Sequence, residues 1–269
     1  MLVSQVSHTL LNTYYTLEVR TYVSTDRATD FYRENGYWLH KKPLFSDDQF
    51  ARLSALFEDL LAQNEAGRRA DQLDVPHFNC PALFEFLLAE QVLDLVEPFI
   101  GPDIGLWSSH FICKEPQIGR ATPWHEDSAY WNGRMDRMDQ IITVWLAIDP
   151  STRANGCMRV LPGTHVNGFS QYEEVDRAHN TFSRQVIAEE RDDTKAVYFE
   201  LEPNECSLHD ARIIHGAAAN SSSLRRCGYT MRYFSLTSKV IAERNETHRV
   251  WHCRGKNVAG NKLAERPAF

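Results

Sequence analysis

No stretch of the chain approaches the roughly 18 apolar residues of a membrane-spanning helix, so a membrane-embedded role is not expected. The first 22 residues, MLVSQVSHTLLNTYYTLEVRTY, lack a basic start followed by an uninterrupted apolar run, and so do not read as a signal peptide. A basic excess is missing as well. Lys and Arg number 29 against 36 Asp and Glu, giving a formal net charge of −7, the wrong sign for gripping a phosphate backbone. Nucleic acid is therefore not an expected partner. The six cysteines, Cys80, Cys113, Cys157, Cys206, Cys227 and Cys253, show no C-x-x-C spacing. That fits the reduced thiols of a larger intracellular protein better than a disulfide framework, and the expected compartment is the cytoplasm. Internal repeats, low-complexity tracts and a convincing linker are also missing, so residues 1–269 are expected to form one domain. Nothing in the sequence bears on oligomeric state.

What is present is ordinary globular material, with 43% hydrophobic and 24% charged residues, and enough chain for one large core. Ser46-Asp47-Asp48-Gln49 is a capping-box pattern with acidic residues in the first turn, followed by Phe50, Leu53, Leu56, Phe57, Leu60 and Leu61 at helical spacing. A second helix is predicted from Pro81 to just before Gly101-Pro102. Beyond Gly101 the pattern changes to short segments rich in β-branched and aromatic residues. The predicted strands are 104–114, 122–130, 141–149, 158–161, 195–201, 205–215 and 227–236, with turns at Asn155-Gly156, Pro162-Gly163 and Asn220–Ser223. The fold class is therefore mainly β, a sandwich or jelly roll, with flanking N-terminal α-helices. Helical support would occupy about 27–100, the jelly-roll core about 104–240 and a closing tail about 241–269. The charged run 171–194 has no clear period and reads as a flexible insertion or a surface lid.

Within this frame His125-Glu126-Asp127 forms an H-x-D pair. On an extended strand residues i and i+2 project to the same face, so His125 and Asp127 can grip one ion. Alone, such a tripeptide is also compatible with a polar strand end. A third ligand from a distant strand would complete a facial set of two imidazoles and one carboxylate, which suits iron(II) and leaves coordination positions open. His215, at the end of the alternating run from Leu208, is the candidate. Its other reading is a buried histidine bonded to backbone. Arg226 lies eleven residues later, and the midpoint falls in the predicted turn at Asn220 and Ser221. A hairpin closing symmetrically there would set Arg226 opposite His215, where a guanidinium can clamp a carboxylate bidentately. Arg225 would point to the other face.

Four ordered motifs, W-H-E-D-S-A-Y-W, T-V-W-L-A-I-D, N-G-C-M-R-V-L-P-G-T-H and H-G-A-A-A-N-S-S-S-L-R-R, resemble the phytanoyl-CoA dioxygenase family of iron(II)/2-oxoglutarate oxygenases over about residues 30–260. The resemblance implies a double-stranded β-helix, or cupin-like jelly roll. It implies His125, Asp127 and His215 as catalytic iron ligands, 2-oxoglutarate and O2 as co-substrates, and Arg226 as the 2-oxoglutarate anchor. It also suggests Trp145 and His110 as lining of the co-substrate pocket, although either could be a plain core residue. Halogenating relatives lack the carboxylate ligand, so Asp127 favours hydroxylation of a small molecule. Desaturation, epimerisation or cyclisation would share the same radical chemistry, and a non-oxidative metal-binding jelly roll is a further alternative. Two departures stand out: Glu126, where relatives often have Gln, should point away from the metal, and Ala217 removes a hydroxyl that could contact 2-oxoglutarate.

Substrate contacts are less legible. Tyr130, Trp131 and Asn132 could form a pocket wall, though aromatic residues there are more often core. Arg226, Gly228, Thr230, Arg232 and Phe234 share strand parity, which makes Arg232 a candidate for an anionic substrate group or an ion-pair partner of a nearby carboxylate. His209 has the parity of His215 and is either a second pocket residue or the alternative ligand. Arg254 in the tail would help to cover the site.

Overall fold

The computed structural model describes residues 25–64 and 69–268, and the N-terminal segment read above for a leader lies outside them. Among the described residues no helix is long and apolar enough to cross a membrane. The elements run α1 (Thr25–Asn35), β1 (Tyr37–His40), α2 (Asp47–Ala62), β2 (Leu73–Asp74), α3 (Phe84–Leu87), α4 (Glu90–Ile100), β3 (Ile104–Lys114), β4 (Thr122–His125), α5 (Asp127–Trp131), β5 (Ile141–Ala147) and β6 (Met158–Val160). They continue with β7 (Tyr172–Glu174), β8 (Arg184–Val186), β9 (Val197–Tyr198), β10 (Cys206–Asp210), β11 (His215–Ala217), β12 (Arg226–Ser235) and β13 (Trp251–Arg254).

The Ser46 side chain accepts from the Gln49 amide and the Gln49 side chain accepts from the Ser46 amide, so the capping box starts α2 where the sequence places it. The second predicted helix is broken instead. A 3-10 turn at Pro81–Leu83 leads into α3, and Ala89 is extended before α4 begins. The break leaves the Leu87 carbonyl free to accept from the Tyr233 hydroxyl at 2.8 Å, tying helix to sheet. Helix α1 lies at the start of the expected helical support, whereas strand β1 is a strand inside that region.

Seven strands form the larger antiparallel sheet, ordered β1-β10-β5-β12-β3-β13 with β2 also against β3, while β4-β11-β6-β9 form the smaller. These are the two sheets of a double-stranded β-helix, or jelly roll. Alternation along β12 decides which side each residue serves. Cys227, Tyr229, Met231 and Tyr233 face outward into a core completed by Leu53 and Phe57 of α2 and Val92, Leu93 and Val96 of α4. Burying each large apolar side chain there contributes on the order of 1.5–3 kcal/mol. The opposite parity, Arg226, Thr230 and Arg232, lines an interior cavity.

Two predicted strands are corrected. The segment 122–130 is extended only through His125, because Asp127 opens the short helix α5. The segment 205–215 is two strands in different sheets, with a turn at 211–214 carrying the chain from β10 to β11. Nor do His215 and Arg226 face each other across a hairpin: His215 pairs with His125 and Val160, whereas Arg226 pairs with Lys114. The charged run 171–194 folds in part as the two-stranded β7-β8 hairpin.

Candidate metal centre

Strand β4 delivers His125 and strand β11 delivers His215 from directly paired positions in the smaller sheet, with ring centroids 4.1 Å apart. The turn from β4 into α5 swings Asp127 back beside them, and its Oδ1 lies 3.8 Å from His125 Nε2. One donor atom from each of the three lies within 4.8 Å of the others, so the set can hold one metal ion. The sequence argument from strand parity thus reached the right neighbours by a geometry that Asp127 does not adopt.

The hydrogen bonds orient the ligand atoms. His125 Nδ1 lies 2.9 Å from the Pro123 carbonyl and His215 Nδ1 lies 2.9 Å from the Ile213 carbonyl. A carbonyl can only accept, so each Nδ1 carries the proton and each Nε2 turns a lone pair inward. Burial, with His215 next to it, pushes the His125 imidazole down to about 3, and burial also lowers His215, so both rings are neutral at physiological pH. For Asp127 burial alone would raise the pKa. The Arg232 guanidinium opposes it and holds the carboxyl below its usual range. Two neutral nitrogens and one carboxylate are a donor set suited to iron(II).

Asp127 is held asymmetrically. Its Oδ2 accepts from Arg232 Nε at 3.4 Å and from the Thr143 hydroxyl at 3.5 Å, leaving Oδ1 toward His125. The register explains the support: His209, Thr143, Arg232 and Ser108 are successive cross-strand partners in one row of the larger sheet. Arg232 also donates to the Thr230 hydroxyl at 3.0 Å and lies 5.4 Å from the centroid of Trp131. Of its two sequence readings, the ion-pair partner of a nearby carboxylate is the one the structure displays. His209 is buried beside His215, ring centroids 4.9 Å apart, and its Nδ1 has no hydrogen-bond partner among the described residues.

These side chains open into a cavity of about 580 Å3. At one end Arg226 is buried, and its Nε and Nη2 donate to the Gly156 carbonyl at 3.1 and 2.7 Å. Among the described residues no carboxylate pairs with it, since Asp149 is taken by Arg225. Lys114, directly across from Arg226, is equally buried and bonds only backbone carbonyls. Burial lowers the pKa of both cations. Of the two, Arg226 alone lines the cavity, and it brings there a buried cation that no carboxylate among the described residues neutralises. Trp145 walls this end, with the Arg226 guanidinium 5.3 Å from its centroid. Gly228 makes room for that ring: a Cβ there would fall 2.1 Å from Trp145 Cζ2. Gly156, with φ of 78°, presents its carbonyl to Arg226 from a conformation that favours glycine.

The other sequence candidates fall as follows. His110 lines the cavity, its Nε2 donating to the Asp71 carbonyl at 3.0 Å. Tyr130 and Trp131 line it too, whereas Asn132 is exposed and outside it. Glu126 is buried away from the cavity and accepts from Ser170 and Tyr172. Ala217 lies on the wall across from Thr122, which lines the cavity as well. Arg254 is drawn off to Glu90, Asp94 and Glu97 of α4, so the tail reaches the cavity instead through Thr247 and His248. Sequence reasoning missed Phe182, Arg134, Asp74 and His248, all cavity residues. The Phe182 ring packs edge-on to His125 at 4.9 Å. Its signal was available, because Tyr172 and Phe182 are the two aromatics of an otherwise charged run.

Comparison with known proteins follows the same lines. The family model for phytanoyl-CoA dioxygenase matches residues 32–228. A protein of Stutzerimonas stutzeri described as a probable alpha-ketoglutarate-dependent hypophosphite dioxygenase is 27% identical over 157 residues, 58% of this chain and 54% of that one. The peroxisomal phytanoyl-CoA dioxygenase of Mus musculus is 27% identical over 242 residues, 81% of this chain and 68% of its own length. The chain thus spans little more than half the length of the first of these relatives. Among solved structures, EvdO2 from Micromonospora carbonacea var. aurantiaca complexed with 2-oxoglutarate superposes with a TM-score of 0.68 at 24% identity, covering 84% of this chain and 96% of that one.

Proposed function

The chain belongs to the phytanoyl-CoA dioxygenase family, and from that premise we propose that it is a non-haem iron(II)- and 2-oxoglutarate-dependent oxygenase that hydroxylates a C–H bond of a small molecule. The observation that carries this reading is the joint placement, in one cavity, of a two-imidazole, one-carboxylate donor set and a buried guanidinium without a carboxylate partner. The donors fit iron(II), and the cationic end fits a dicarboxylate whose far carboxylate meets Arg226. When bound, iron(II) and 2-oxoglutarate supply the oxidising chemistry: O2 is consumed, 2-oxoglutarate becomes succinate and CO2, and one oxygen atom enters the substrate.

The chain's own residues do the remaining work. His125 and His215 hold neutral Nε2 atoms toward the metal, each fixed by its Nδ1 bond to a carbonyl. Asp127 would offer Oδ1 to the metal, since Thr143 and Arg232 donate to Oδ2. Trp145 and His110 border the co-substrate. Thr122 offers a hydroxyl on the wall where Ala217 lacks one. Tyr130, Trp131 and His209 remain candidates for the substrate wall, and Asn132 does not. Cytoplasmic placement belongs to this reading, supported by six free thiols.

Succinate release from 2-oxoglutarate in the presence and absence of iron(II) tests the proposal. It should require the metal and collapse in both Asp127→Ala and Arg226→Ala. An iron-loaded protein that neither binds nor turns over 2-oxoglutarate would leave a non-oxidative jelly-roll protein as the better reading. Product mass separates the fates of the substrate: hydroxylation adds one oxygen, whereas desaturation, epimerisation and cyclisation do not.

A further inference from the structure

Beside the main cavity, under the β7-β8 hairpin, lies a second one of about 320 Å3. Tyr130, Thr181 and Phe182 line both, so these residues form the partition between them. The Tyr130 and Phe182 rings sit 5.2 Å apart, and both pack edge-on to His125, at 6.0 and 4.9 Å. The two rings touch each other, so a molecule reaching from one cavity to the other passes over their edges beside Thr181, next to the His125 ring.

The annex differs in character from the main cavity. Besides Ala129, Tyr172 and Ser183, its remaining wall carries Arg177 and Arg184, both exposed and with no carboxylate partner among the described residues. The acids of the same segment are mostly committed elsewhere. Glu173 accepts from Gln185, Asp176 pairs with His179 and caps the Ala178 amide, and Glu190 accepts from the Gln171 amide. Glu174, across from Arg184 in the hairpin register, makes no ion pair with it. Two unpaired guanidiniums on one concave wall, in a chain of net charge −7, are a local electropositive site that the surface as a whole opposes. Arg232, the sequence candidate for an anionic group, is already engaged by Asp127.

We infer that the annex binds an oxyanion carried by the primary substrate, remote from the carbon that reacts, and that the substrate is therefore an acidic small molecule with a flat or apolar portion between the two. Arg177 and Arg184 receive the oxyanion, the middle lies over the edges of Tyr130 and Phe182, and the reacting carbon lies in the main cavity. Which end reacts rests on the oxygenase reading above; oxyanion binding does not.

The test is calorimetric titration of the full chain with phenyl phosphate, and with benzyl alcohol as the neutral control. Charge-assisted hydrogen bonds of this kind are worth about 1.5–3 kcal/mol, so the Arg177→Gln/Arg184→Gln protein should bind phenyl phosphate roughly 10–100-fold more weakly than the wild type. Arg226→Gln, which removes the cation at the far end of the main cavity, should keep the Arg177- and Arg184-dependent binding, and benzyl alcohol should not bind. Phenyl sulfate and benzoate as parallel titrants identify which oxyanion the annex prefers. Equal phenyl phosphate affinity in the double variant, no binding by the wild type, or loss in Arg226→Gln instead would each overturn the inference. Titration of the manganese-loaded samples with 2-oxoglutarate keeps the two readings apart. Unchanged 2-oxoglutarate affinity in the double variant shows that its fold is intact. Phenyl phosphate binding without 2-oxoglutarate binding in the wild type would sink the oxygenase reading and leave the annex standing.

Discussion

Replacing Arg226 with methionine should make the ligand-free protein no less stable while abolishing its response to 2-oxoglutarate. Arg226 is 2% exposed, and burial pushes its guanidinium down to about 10, a depression worth roughly 3 kcal/mol. Because the folded value lies below the unfolded one, the buried charge weakens the native state at every pH below about 10 and is relieved only as pH rises through that value. The whole penalty is therefore present at pH 7.5, and the facing Lys114 adds repulsion. Methionine removes the charge and keeps most of the stem. It also strips the Gly156 carbonyl of two donors, a loss of about 1–3 kcal/mol. The balance for the ligand-free variant is a stability between unchanged and about 2 kcal/mol greater, or a melting temperature up to roughly 4–8 °C higher. In the wild type loaded with manganese(II), 2-oxoglutarate at a hundred times its Kd should add about 2.7 kcal/mol, and in the variant nothing. Thermal and urea denaturation with and without 2-oxoglutarate measure both quantities. A variant that loses about 3 kcal/mol unliganded and still responds to 2-oxoglutarate would show that Arg226 is a structural cation, and the reasoning would be wrong.

Freeing Asp127 Oδ2 with Arg232→Gln should weaken manganese(II) binding about 10–100-fold, the usual cost of losing an outer partner of a metal ligand, and calorimetry showing unchanged affinity would remove Arg232 from that role. Gly228→Ala drives a methyl into Trp145 and should destabilise the fold by about 1–3 kcal/mol while also weakening 2-oxoglutarate binding; an unaffected melting temperature would contradict the contact. Burial holds His77 and His125 down to about 3 and His248 to about 4, so the unfolded chain binds more protons than the native one as pH falls below the ordinary histidine value near 6.5. These three alone give a slope of about 4 kcal/mol per pH unit near pH 5, so metal-free stability should drop at least that steeply, and denaturation midpoints that stay level from pH 6.5 to 4.5 would refute it.

Much of the site could be read from local patterns, and the limits of that reading are instructive. Ser46 and Gln49 sit within one turn, so their reciprocal bonds were visible in four letters. Strand β3 matched its predicted bounds because its β-branched and aromatic run ends at strong punctuation on both sides. His125, Asp127 and His215 were found by residue type and order, yet the parity argument for Asp127 failed, since nothing local marks the change from strand to helix at Glu126. Likewise Leu208 to His215 alternates smoothly through a turn that moves the chain between sheets, and alternation carries no information about which sheet a residue joins. The symmetric hairpin between His215 and Arg226 was wrong for the same reason, although both do reach one cavity. Arg134, Asp74, Phe182 and His248 come from loops and short ends brought in by long-range pairing, which no window of the sequence contains.

An anaerobic crystal structure of the chain with iron(II) and 2-oxoglutarate is the most direct measurement. Metal density should bond His125 Nε2, Asp127 Oδ1 and His215 Nε2, with 2-oxoglutarate chelating the metal and its far carboxylate on Arg226. Metal bound elsewhere, Asp127 bound through Oδ2, or the far carboxylate resting on Arg232 or Arg134 would contradict it.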